Sequence, residues 1–143
     1  MGLGIAIKVN GMPDPDLISA TAVEVTENAN GKTEFNLRYD ADIGEGDLPL
    51  LVDNRLDAGS EITILVPVNS SNQCLVKGSV HSHRIHFHHG GAGSWLEVMG
   101  SDSSIIMDRE SRSIVWSDQS DSDVVSSILA IYGYSPDVEN TPA

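Results

Sequence analysis

The chain has 143 residues, room for one hydrophobic core and little more, which excludes a pair of full catalytic domains. Eight Lys plus Arg stand against 21 Asp plus Glu, a formal net charge of -13 with an isoelectric point near 4.4, and this argues against a surface that tracks nucleic-acid phosphates. Apolar residues make up 40% of the chain in short Val, Ile and Leu blocks, enough to offset the entropy of ordering and to predict a folded domain.

Cys74 is the single cysteine, so no intramolecular disulfide or multi-cysteine zinc site can form. Residues 1–10 lack the charged start, apolar stretch and cleavage site of a signal peptide, and no run reaches the about 18 apolar residues of a membrane span. The expectation is a soluble intracellular product, or a part of something exported by another route.

Gly4 to Val9 alternates apolar and polar residues as a first strand does, and Asn10-Gly11 followed by Met12-Pro13-Asp14-Pro15 supplies turn chemistry. Leu17 to Val25 reads as a second strand with a slip of phase, and Phe35, Leu37 and Tyr39 mark a third with one buried face. Asp40 to Ser60 is irregular and acidic around the apolar knot Leu48 to Val52, which predicts a long surface loop. Ile62, Ile64 and Val66 resume the alternation, Asn69 to Asn72 makes a polar turn, and Cys74-Leu75-Val76 starts a further strand. From Gly78 to Asp108 the pattern predicts two long antiparallel strands joined at Gly90 to Ser94 and a third after Gly100, with Arg112 to Trp116 as a last short strand.

One helix stands out, over about 121–132. Ser120 and Asp123 have the spacing of an N-terminal cap, Asp121 and Asp123 complement the helix dipole, Val124, Ile128 and Ile131 keep one face apolar, and Gly133 and Pro136 stop it. The expected fold is mainly β: an antiparallel barrel or sandwich with one C-terminal amphipathic helix plugging or flanking it, a single domain over 1–134 and a flexible tail over 135–143.

All five histidines lie between His81 and His89. In a regular strand His81, His83 and His89 share a face with Ile85 and Phe87, while His86 and His88 share the other with Arg84, and the hydrophobic pair is expected to point inward. Two imidazoles one residue apart suit one zinc or iron ion, so His81 and His83 form an alternative metal pair, with Glu97 or Asp102 as a third ligand across the hairpin. The surrounding spacing speaks against it, because Gly78 is too close, Glu97 too distant and no histidine follows His89. The preferred assignment therefore has no catalytic, cofactor-binding or metal residue, with the histidines as polar or interface positions able to titrate near neutrality.

Asp40, Asp42 and Gly44 begin like a calcium loop, but Leu51 stands where a bidentate Glu would close it. The serines from Ser117 to Ser127 lack a nucleophile elbow, the Gly90 to Gly93 loop joins strand to strand rather than cradling phosphate, and Cys74, with no basic neighbour to activate it, is expected to be a buried thiol.

The order and spacing over residues 58–138 carry a family likeness. Ala58-Gly59-Ser60-Glu61-Ile62-Thr63-Ile64, Gly78-Ser79-Val80-His81-Ser82-His83, the glycine loop, Trp95-Leu96-Glu97-Val98-Met99-Gly100-Ser101-Asp102, Met107-Asp108-Arg109-Glu110, Trp116 and the helix from Ser120 to Gly133 together resemble the phage late-control protein D and VgrG-like baseplate hub family. That resemblance implies the tail-tube-like N-terminal β-barrel of a hub that joins tail tube to central spike in a phage tail or a type VI secretion-like contractile injection system. It further implies a homotrimer with tube and spike proteins as partners, assembled in the bacterial cytoplasm into a virion or injection particle, with no enzymatic activity and no cofactor. The rivals are a small metal-dependent β-barrel enzyme using His81 and His83, and a carbohydrate- or peptide-binding β-domain using Trp95 and Trp116.

Overall fold

The computed structural model describes residues 4–41, 49–90 and 92–142. The fold is mainly β, with seven strands among the described residues in one antiparallel sheet: β1 (Ala6–Val9), β2 (Met12–Pro13), β3 (Ala22–Thr26), β4 (Glu34–Ala41), β5 (Glu61–Val68), β6 (Ser71–His86) and β7 (Ser94–Asp102), in spatial order β2-β1-β5-β6-β7-β4-β3. The described residues also include the short helix α1 (Pro49–Val52) and α2 (Asp121–Ile131), together with 3₁₀ segments at Asp16–Ser19, Asn54–Leu56 and Ser103–Arg109.

Local chemistry sets the tight hairpins. Val9 pairs with Met12 across Asn10-Gly11, and Val68 pairs with Ser71 across Asn69-Ser70. Both two-residue loops take positive φ at both positions, 49° and 82° in the first and 48° and 68° in the second, the backbone that matches the twist of the flanking strands. Asparagine tolerates that region and glycine occupies it freely, which is why these turns are readable from composition.

The sheet curls around one core, with Leu17, Leu37, Ile62, Ile64 and Val98 wholly buried in it. The ladder does not close into a hydrogen-bonded barrel, since β2 and β3 are its two ends. Those ends are consecutive in the chain, and the stretch expected as a strand from Leu17 to Val25 divides into the Asp16–Ser19 3₁₀ turn and the shorter β3. The turn inserts Leu17 into the core and its carbonyl accepts the Tyr39 hydroxyl at 3.2 Å, so chain connectivity and a plugging side chain do there what strand pairing does elsewhere. Burial, reinforced by the Asp14 carboxylate, pushes the Tyr39 phenol far above its ordinary pKa, so it remains a donor.

Three further strand boundaries differ from expectation. Cys74-Leu75-Val76 and the histidine strand are one sixteen-residue β6, bent by register shifts opposite Ile64/Leu65 and at Val80/Ser82. Because this end of β6 lies outside the core, Cys74 is exposed rather than buried. The strand expected after Gly100 is the 3₁₀ helix Ser103–Arg109, and residues 110–117 pair with no strand among the described residues.

The chain divides into two compact units, Met1–Ser104 and Ile105–Ala143, where one domain through 134 is expected. In the second, the helix forms as read from the sequence. Ser120 Oγ accepts the Asp123 amide at 3.3 Å, and Gly133, at φ 78°, allows the Gly133 and Tyr134 amides to donate to Ala130 and Leu129, a Schellman end. The terminal stretch returns to that helix: Ser122 and Thr141 exchange amide-to-hydroxyl bonds of 3.0 and 3.2 Å, which pin part of the 135–143 segment expected to be loose.

Candidate assembly surfaces

The histidine strand illustrates how a small backbone irregularity redirects side chains. Val80 pairs with Gly100 and Ser82 with Met99, so His81 is the extra residue of a bulge and the two-residue alternation breaks there. His83 lies on the inner side with Ile85, opposite Val98, and donates its Nε2 proton to the Leu56 carbonyl at 2.6 Å. His81 is exposed; its Nδ1 meets Ser82 Oγ at 2.9 Å, and it borders an outer cleft with Glu24, Asn36 and Met99. His81 and His83 are therefore not brought together, and Glu97 instead pairs with Arg84 at 3.4 Å. Among the described residues no group of three or more His, Cys, Asp or Glu is placed to hold a metal.

Phe87, expected to turn inward with Ile85, is 65% exposed because β6 ends at His86 and the residue belongs to the hairpin loop. His88 and His89 are exposed beside it. Asp42 and Gly44 of the calcium-like motif, with Glu45 and Asp47, lie outside the described residues, as does Gly91 of the glycine loop.

Trp95 occupies the outer face of the sheet between β4 and β6. The Arg38 guanidinium sits 4.4 Å from its ring centroid, and the His86 ring stacks on it at 5.0 Å and 13°. Its ring is engaged by two neighbours, which leaves a poor platform for a sugar. Trp116, in the second unit, lines a groove of mixed polarity in which Glu110 and Arg112 stand beside Met107, Ile114, Ile128, Ile131 and Tyr132, and the Arg112 guanidinium lies 5.7 Å from the Tyr132 ring centroid.

Much of the acidic charge serves structure. Arg55 Nη1 meets Asp14 at 2.8 Å and Asp16 at 3.3 Å, while Nη2 meets Asp53 at 2.6 Å, tying the β2–β3 connection to the Asn54–Leu56 turn. The hydrogen bonds from Arg55 hold the Asp53 carboxyl below the usual carboxylate range. Asp102 is a second staple: its carboxylate accepts the Thr33 amide at 2.9 Å and the Ser104 amide at 3.0 Å, and its own amide donates to Thr33 O. Burial would raise this carboxyl, but the Ser104 hydroxyl and the two amides outweigh burial and leave it lowered. Neither ion-pair group nor staple was legible in the sequence, since each joins residues far apart in the chain.

Among the described residues the geometry offers three surfaces: the open second edge of β3, the aromatic and cationic strip on the outer face, and the groove of the second unit. None of the helices is long and apolar enough to cross a membrane, among the described residues.

The fold is that of solved tail proteins. A tail protein from Neisseria meningitidis MC58 is similar over 92% of this chain and 34% of its own, with a TM-score of 0.59 and 14% identity. The 43 kDa tail protein of prophage MuSo2 from Shewanella oneidensis is similar over 91% of this chain and 38% of its own, with a TM-score of 0.63 and 13% identity. The chain thus spans little more than a third of the length of these structures. No curated protein matches it by sequence. The family model described as Alg8 N-terminal domain matches residues 2–143, and the chain belongs to that family.

Proposed function

We propose that this chain is a structural part of a phage tail or phage-derived contractile injection particle, serving as the N-terminal barrel domain of a baseplate hub between tail tube and central spike. The observation that carries this reading is the likeness of more than nine-tenths of the chain to two tail proteins of separate bacteria. The late-control D and VgrG-like order of elements over residues 58–138 supports the hub position, a finer assignment than the shared fold alone carries. The domain acts by assembly, as a homotrimer with tube and spike proteins as partners, and not by catalysis. Its charge of -13 suits the wall of a conduit, because an acidic surface repels DNA or an acidic cargo and favours passage over retention.

Co-expression with the tube and spike proteins of the same gene cluster tests this. The expected result is a complex of the three, and electron microscopy of tagged particles should place the tag at the junction of tube and spike. A protein that joins neither partner, and particles that assemble normally without it, would overturn the proposal.

A further inference from the structure

Two incomplete pieces of β structure face solvent in this chain. The first is the second edge of β3, the terminal strand, which has no partner strand among the described residues. Its inward residues Val23 and Val25 pack against the core yet are only partly buried, because the sheet ends beside them. The second is the segment 110–117, which runs without helical turn or bend. Among the described residues none of its backbone amides or carbonyls makes an internal hydrogen bond, an uncommon condition for so long a stretch. Its sequence, Ser111-Arg112-Ser113-Ile114-Val115-Trp116, suits a strand.

The side chains divide by face. Arg112, Ile114 and Trp116 line the groove of their own unit, while Val115, between them, is 90% exposed. An apolar β-branched residue in that position lacks any cover, and Val23 and Val25 lack a neighbour on their open side.

We propose that segment 111–116 of one copy adds as a strand to the β3 edge of a second copy, with Val115 covering Val23 and Val25. Charge favours this occupant. Residues 109–116 carry Arg109 and Arg112 against Glu110, a net of +1, whereas residues 22–34 carry Glu24, Glu27 and Glu34 against Lys32, a net of -2. The five residues of β3 are long enough to pair with most of the six-residue segment. Main-chain hydrogen bonds would supply affinity and the valines specificity, as in strand addition generally. Because the two surfaces differ, the contact is head-to-tail, the type that closes into a ring when the rotation permits. The inference rests on the hub reading in supposing that a ring is the working state.

Mass measurement across protein concentration, on the wild type and Val115→Asp, is the first test. The wild type should self-associate, and Val115→Asp, which alters only an exposed side chain, should weaken association by roughly tenfold or more. The second test mixes two single-cysteine variants in a Cys74→Ser background, Glu24→Cys and Ile114→Cys, whose side chains would share the outer face of the added strand pair, with a short bismaleimide. A linked dimer containing one of each variant is expected. A wild type that stays monomeric at every concentration, or an oligomer that Val115→Asp leaves intact and that gives no mixed link, would overturn strand exchange. A monomer that still joins tube and spike refutes this exchange alone; an exchanging oligomer that joins neither refutes the hub reading alone.

Discussion

Met1–Ser104 and Ile105–Ala143 solve the problem of burying apolar surface in opposite ways. Every fully buried apolar side chain among the described residues lies in the first unit, between Ile7 and Val98. In the second, Val125, Ile128 and Ile131 of α2 remain 38–49% exposed, and the buried residues are Ser120 and Ser122, held by capping bonds. The first unit can be stable by its own packing, because a curled sheet brings both ends of the chain segment to one core. The second has a helix whose ends are well satisfied and whose apolar face is incompletely covered, the condition of a surface that functions by contact.

Substitutions can test that contrast. The largest effect is expected at Gly78, where an added Cβ would come within 2.1 Å of Ser101 O and 2.8 Å of the Asp102 Cα. Both obstacles are backbone of the neighbouring strand, so Gly78→Ala should cost about 3 kcal/mol or more, measured by urea unfolding of the sheet. A cost below about 0.5 kcal/mol would mean that β6 and β7 are free to separate, and the sheet would not be the rigid partner of the pair.

Asp102→Asn comes next, at about 1–2 kcal/mol, since an amide cannot accept all the bonds that the Thr33 and Ser104 donors offer the carboxylate. The folded-state pKa of Asp102 is lowered, so its stabilising contribution is present above the unfolded value of about 4 and lost as pH falls through the folded value. Acid titration of stability should therefore be shallower in Asp102→Asn than in the wild type, and identical acid limbs would show that the staple adds nothing.

The smallest effect belongs to the second unit. Ser120→Ala removes the cap of α2 and should cost about 1 kcal/mol of local helix stability, seen as faster amide exchange over 121–131 with unchanged protection in β4 to β7. Protection lost equally in the sheet would show that the two units fold as one cooperative body and would remove the contrast.

The features legible in the sequence were those fixed within a few residues. Asn10-Gly11 and Asn69 to Asn72 announce their turns because positive φ restricts the choice of residue, and Ser120, Asp123 and Gly133 announce the helix because caps act on the nearest turn. The alternation Phe35, Leu37, Tyr39 identified β4 because a half-buried strand has a period of two. The misread features depend on partners distant in the chain. His81 and His83 share a face in any regular strand, and only the bulge opposite Gly100 separates them. Leu17 looks like a strand residue, yet the gap between β2 and β3 takes it as a plug.

By itself the sequence determined a mainly β chain with one capped C-terminal helix and a strong negative charge, because periodicity, turn chemistry and composition are local properties. Tertiary structure decided that the sheet stays open between β2 and β3, that Trp95 is clasped by Arg38 and His86, and that the backbone of residues 110–117 is unpaired among the described residues. Each of these depends on which strands become neighbours, and pairing between distant segments is set by the shared core rather than by any short stretch of sequence.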